Sequence, residues 1–183
     1  MSIRILLIGL ALASAVPAGV SGEDLTATMV QRVQGGTIEG KFYLKGPRCR
    51  LDLLTPAPET RLLIDPAASE VTFLSPEKKR FSKAHLKLEG EVCSLLSAWK
   101  EMGERRPLGS ELVGGVIYRK YELSAPEQAA EKTIVWADDE DRARKLWQRL
   151  PGGAVVETEW LDIRGADLDR SLFEVPPDYR PEE

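Results

Sequence analysis

From Leu25 to Phe81 apolar and polar residues alternate in runs of about 5 to 9 residues, the usual strand length, and a turn signal separates each run from the next. The signals are Gly35-Gly36, Lys45-Gly46-Pro47, Pro56-Ala57-Pro58-Glu59, Asp65-Pro66 and Ser75-Pro76. Alternation is plainest in Thr37 to Leu44, where Ile38, Gly40, Phe42 and Leu44 share one face and Thr37, Glu39, Lys41 and Tyr43 the other. Arg48 to Leu54 sets Cys49, Leu51 and Leu53 opposite Arg48, Arg50 and Asp52, and Leu62, Ile64, Val71 and Phe73 continue the inward set. A meander with one dry and one wet face predicts a curved antiparallel sheet whose edges must be closed or covered.

Between Glu91 and Met102 the period changes to about 3.6: Val92, Leu95, Leu96, Trp99 and Met102 recur at helical spacing, and Gly103 supplies a stop. The stripe reads as a helix packed on the sheet. The charged run Glu104-Arg105-Arg106 and Pro107 then separate this helix from renewed strands at Leu112 to Leu123, bent at Gly114-Gly115, and at Lys132 to Trp136. Asp138 to Leu150 suits either a capped helix or, through Pro151-Gly152-Gly153 and Ala154 to Ile163, one arm of a hairpin; periodicity leaves both open. The tail packs Leu172 and Phe173 before a polar, poorly ordered end. The resulting fold class is α+β: a strongly curved, half-open antiparallel β-barrel with helices on its concave side.

Ahead of this ladder stand Arg4, an apolar stretch from Ile5 to Val16, and small residues from Pro17 to Gly22, the layout of a signal peptide. The apolar stretch is shorter than the roughly 18 to 20 residues that cross a bilayer. The expected organisation is a cleaved leader over 1–22 and one domain over 23–183, exported to the periplasm, soluble and without a transmembrane span. Cleavage there exposes no cysteine for lipid attachment. The chain carries 25 basic and 29 acidic residues, a net charge of −4, and loss of Arg4 makes the mature chain more acidic still, which does not suit nucleic acid.

Cys49 and Cys93 are the two cysteines. In an oxidising compartment they can pair, contributing about 4 kcal/mol by loop closure, or persist as two buried thiols; the sequence leaves both open. Reaction chemistry is sparse. His85 is the lone histidine and reads as a solvated loop residue, so a histidine-rich zinc site and a serine triad both lack their parts. Glu157 and Glu159 sit at same-face strand spacing, where solvent-facing charge is the simpler reading than acid–base catalysis. Neither glycine pair has a phosphate-loop context. No enzyme activity, cofactor or metal is expected.

Three stretches carry a resemblance: Gly40-Lys-Phe-Tyr-Leu-Lys-Gly-Pro-Arg-Cys-Arg50, Phe73-Leu-Ser-Pro-Glu-Lys-Lys79 and Leu172-Phe-Glu-Val-Pro-Pro-Asp-Tyr179. Together they resemble periplasmic lipoprotein-carrier-like domains, the LolA/LolB-like superfamily, and especially its poorly characterised exported relatives. The resemblance implies an incomplete barrel around helices, with an apolar interior that in the carriers shelters lipoprotein acyl chains. It also implies a hairpin over Lys145 to Ile163, and a lid-tethering role for Arg50, although alternation sets Arg50 opposite Cys49 and Leu51. The expected function is a periplasmic binding or carrier protein for lipidated or other apolar cargo; the alternative is a cell-envelope interaction or sensor module with a protein partner. Candidate lining residues are Phe42, Leu44, Leu63, Phe73, Leu95 and Trp99, with Leu62 and Ile64 competing with Leu63 for the inward face.

Overall fold

Wherever period-two alternation is strong, the chain forms strands. The computed structural model describes residues 24–54, 59–85, 98–101, 103–124 and 130–182. Its strands are β1 (Leu25–Val33), β2 (Gly36–Lys45), β3 (Arg48–Leu53), β4 (Thr60–Asp65), β5 (Glu70–Ser75), β6 (Arg80–His85), β7 (Glu104–Val113), β8 (Val116–Ser124), β9 (Lys132–Ala137), β10 (Ala143–Arg149), β11 (Val155–Gly165) and β12 (Arg180–Pro181). They make one sheet in the order β12-β6-β5-β4-β3-β2-β1-β11-β10-β9-β8-β7. Two meanders, β1 to β6 and β7 to β11, are thus sewn together by the antiparallel pair β1–β11. Strands β7 and β12 occupy the two ends of the order, so among the described residues the sheet is open rather than closed.

Local chemistry sets the turns. Asp65-Pro66 and Ser75-Pro76 open two matching hairpin loops, in which the N–H of Ser69 donates to the Pro66 carbonyl at 3.1 Å and that of Lys79 to Pro76 at 3.3 Å. Ser69 and Lys79 both take left-handed φ, 50° and 49°, to turn the chain into the next strand. In β11 the register with β1 slips between Thr26 and Thr28, which face Arg164 and Leu161, and Asp162 sits there at φ 52°. Such a bulge bends its strand and deepens the curl of the sheet. Gly40 lets β2 and β3 approach closely: a Cβ there would stand 2.8 Å from the Asp52 carbonyl oxygen of the neighbouring strand.

One face carries the core. Met29, Phe42, Leu44, Leu62 and Val71 from the first meander meet Leu123, Val135, Leu146 and Trp160 from the second in a continuous apolar cluster. The other face is layered differently in the two halves. Over β3 to β6 it is covered by the C-terminal segment, whose 3-10 turn Arg170–Phe173 is capped by Asp169 and packs against β3, burying Phe173. Over β9 to β11 and β1 it is a solvated ion-pair ladder, Arg32 with Glu157 and Glu159, and Lys145 with the same two carboxylates.

Several expectations are corrected. The described residues contain no α-helix, so the fold is a single open, curved sheet and not α+β with helices packed on the concave side. Of the predicted helix Glu91–Met102, only Ala98–Glu101 is described, as one 3-10 turn; residues 91–97 and Met102 lie outside the described residues. Glu104, Arg105, Arg106 and Pro107 do not break the chain but begin β7, an edge strand exposed along its whole length, where charge is solvated and proline, here at a register shift, is tolerated. The Gly114-Gly115 bend is a full reversal between β7 and β8. The choice that periodicity leaves open falls as the resemblance implies: residues 143–165 form the β10–β11 hairpin, because Leu146, Val156, Thr158 and Trp160 alternate onto the buried face. The tail does not end loosely: Tyr179 is followed by β12, paired parallel with β6.

Candidate functional site

Register places the inward residues side by side. Phe42 faces Ala27 and Leu51 on its flanking strands, Leu44 faces Leu25 and Cys49, and Phe73 faces Leu62 and Ser82. Phe42 and Leu44 are buried, Phe73 half-buried, and all three belong to the concave face. Trp99 joins them from the 3-10 turn and is 1 % exposed. Leu63 does not: its neighbours across the sheet are Arg50 and Thr72, and it lies on the outer face beneath the C-terminal segment. The sequence run Leu62-Leu63-Ile64 is apolar throughout because both faces of β4 are covered there. Leu95 lies outside the described residues.

The far wall of the concavity comes from the second meander. Tyr121, Val135, Leu146 and Trp160 stand on the same face, and the Tyr121 ring lies 5.1 Å from that of Trp99, tilted by 38°. None of these is among the candidate lining residues, although the alternation Val156, Thr158, Trp160 in the hairpin arm points to the last of them. Toward the Val33 end the same face turns polar, with Gln31 donating to the Thr158 hydroxyl at 3.1 Å and Gln148 buried nearby in register with Val156 and Thr133.

A latch of charge and main chain holds Trp99 in place. The turn between β9 and β10 presents the Asp141 carbonyl to the Trp99 indole N–H at 2.7 Å, and the Asp141 carboxylate to Lys100 at 2.5 Å and Arg119 at 2.6 Å. Asp141 adopts φ 62°, which turns both groups toward the 3-10 turn. The Lys100 ammonium, aided by Arg119 and Arg105, holds its carboxyl below the usual carboxylate range. The turn is itself built around Asp138. Burial alone would push the Asp138 carboxyl up, but the Arg142 N–H and the Arg144 and Arg142 guanidiniums outweigh it and keep the acid ionised, with its pKa lowered.

Arg50 lies on the outer face, as alternation indicates. Its Nε and Nη2 grip both Asp52 oxygens at 2.6 and 2.8 Å, and Nη1 donates to the Leu172 carbonyl at 3.2 Å. The segment it contacts is therefore the C-terminal one. Cys49, wholly buried, is disulfide-bonded; the chain's other cysteine, Cys93, lies outside the described residues. His85 ends β6 and is exposed, and Glu157 and Glu159 are spent in the ion-pair ladder. Among the described residues no three His, Cys, Asp or Glu side chains cluster as metal ligands, and no helix is long and apolar enough to cross a membrane.

No family model and no curated protein matches the sequence. Solved structures do match the fold. An uncharacterised conserved protein from Thermus thermophilus aligns over 87 % of this chain and 90 % of its own with a TM-score of 0.64 at 11 % identity. The Pseudomonas aeruginosa MucA/MucB complex aligns over 86 % of this chain, which spans 57 % of that one, at a TM-score of 0.55 and 12 % identity. The Mycobacterium tuberculosis lipoprotein LppX aligns over 79 % of this chain and 88 % of its own, at a TM-score of 0.50 and 9 % identity. The fold is the one that these solved structures share. At such low identity the likeness is one of architecture; on that architecture this chain sets Trp99 on Asp141 and the C-terminal segment on Arg50.

Proposed function

We propose that this protein is a periplasmic binding or carrier protein for lipidated or other apolar cargo. The observation that carries the reading is the continuous apolar face of an open curved sheet, with Phe42, Leu44 and Phe73 on one wall and Val135, Leu146 and Trp160 on the other. An acyl chain suits such a surface because its burial there removes methylenes from water, worth about 0.8 kcal/mol each. The signal-like N-terminal sequence and the resemblance of three stretches to LolA/LolB-like domains support the same reading. Trp99 fills part of this face, so entry of cargo requires the 3-10 turn to move, and the bonds that resist this are those to Asp141. On this view the β9–β10 turn sets how readily the face is uncovered.

Native mass spectrometry of the protein freshly isolated from the cell envelope, with lipid extraction, is the direct test. Bound lipid, lost in a folded Phe42→Asp variant, is the expected outcome, since an unpaired charge in an apolar site costs several kcal/mol. A folded protein that carries no lipid and takes up no fluorescent acyl probe would sink the proposal. The alternative, an envelope module that binds a protein partner, is favoured by the likeness to a chain of the MucA/MucB complex. Crosslinking in intact cells that captures a stoichiometric protein partner on lipid-free protein would support it.

A further inference from the structure

At the tip of the β7–β8 hairpin the apolar side chains point outward on both sides. Leu112 and Ile117 are cross-strand partners, as are Val113 and Val116, and successive residues of a strand face opposite ways. Leu112 and Ile117 are 68 % and 66 % exposed, Val113 and Val116 44 % and 47 %. The turn between them, Gly114-Gly115, has φ of 59° and 84°, a two-residue reversal with both φ positive that glycine adopts most readily. Strand β9 pairs with β8 only from Arg119 onward, so the tip extends past the sheet as a two-stranded arm.

We propose that this arm is a membrane-inserting wedge, whose four apolar side chains enter the hydrocarbon edge of a lipid bilayer. A protein surface, or a second copy of this chain, covers one face of a ribbon; a tip apolar on both faces is satisfied only by a medium that surrounds it. Residues 112–117 carry no charge. Directly behind them stands Tyr118, an aromatic ring at the level where headgroups would lie, followed by Arg119 and Lys120. The charges at this level are matched in pairs, Lys120 with Glu111 at 3.0 Å, which also accepts a bond from the Trp136 indole, and Arg119 with Asp141 at 2.6 Å. The wedge stands on exposure and register alone and does not depend on cargo in the concave face.

The test uses the full exported chain with vesicles of phosphatidylethanolamine and phosphatidylglycerol. Wild type is expected to co-sediment, and the paired variants Leu112→Ser with Ile117→Ser, and Val113→Ser with Val116→Ser, each to lose at least about ten-fold in partitioning, since binding scales with apolar area buried. All four side chains are exposed, so the variants keep the fold. In Ile117→Trp, the added tryptophan fluorescence should shift to the blue on vesicles and be quenched by brominated lipid, relative to wild type. No shift and no quenching at position 117 overturns the proposal. So does loss confined to one of the two paired variants, which marks seating by one face rather than insertion of the tip, or a wild-type dimer that the variants dissociate in vesicle-free buffer.

Discussion

The indole N–H of Trp99 donates to the main-chain carbonyl of Asp141, 42 residues away in sequence, at 2.7 Å. Through this bond, and the grip of the same aspartate on Lys100, the turn between β9 and β10 holds the 3-10 turn that sets Trp99 on the concave face. Replacing Trp99 by Phe keeps an aromatic ring against Tyr121 but removes the donor. Stability is expected to fall by about 1 kcal/mol, read from the midpoint of urea unfolding, and the apolar face should take up an acyl probe faster.

The latch is also a carboxylate switch at low pH. Asp141 has its pKa depressed in the folded protein by Lys100, with Arg119 and Arg105 adding to it, so its stabilising contribution is complete above the unfolded carboxyl pKa near about 3.9 and is lost as pH falls through the folded value. Asp141→Asn should therefore be less stable than wild type at neutral pH, and the difference should shrink toward zero as the solution is acidified below that range. Parallel denaturant titrations at several pH values measure it. A difference that stays constant with pH would rule out the ionic part of the latch.

Arg50 and Asp52 form a two-pronged, largely buried ion pair on the outer face. Removing Arg50 alone strands a buried carboxylate, with Arg61 4.0 Å away as its nearest remaining cation. Arg50→Ala is expected to cost about 3 kcal/mol, whereas the joint replacement Arg50→Met with Asp52→Leu should restore most of that loss. Because Arg50 also bonds the Leu172 carbonyl, hydrogen exchange over residues 170–175 should rise in the single variant.

Gly40 has no room for a side chain. Its Cβ would approach the Asp52 carbonyl oxygen at 2.8 Å and the Leu51 side chain at 3.2 Å. Gly40→Val should destabilise by about 2 kcal/mol through forced separation of β2 and β3, seen as a lowered thermal midpoint.

Cys49 is disulfide-bonded, and one other cysteine exists in the chain. Non-reducing mass mapping should recover a peptide joining Cys49 to Cys93. Reduction should then lower stability by about 4 kcal/mol, the entropy of a loop of that length. Alkylation of both thiols in native, unreduced protein would defeat the expectation.

What the sequence determined by itself was local. Alternation in Thr37 to Leu44 and Arg48 to Leu54 assigns Phe42, Leu44 and Cys49 to one face and Arg50 and Asp52 to the other, and the Asp-Pro and Ser-Pro turns mark the hairpins, because strand geometry and turn dihedrals depend on neighbouring residues. Other features needed the tertiary structure. Leu63 reads as a possible inward residue until the C-terminal segment, more than 100 residues later, is seen to cover the opposite face, so that both faces of β4 are dry. Arg50 reads as a tie whose partner cannot be chosen until Leu172 is brought 122 residues back to meet it. The charged start of β7 reads as a break because only its position at the sheet edge makes such a strand tolerable. Periodicity reports the environment averaged along a few residues of chain. Which surface covers a face, and which turn holds Trp99, is decided by contacts whose sequence separation leaves no local trace.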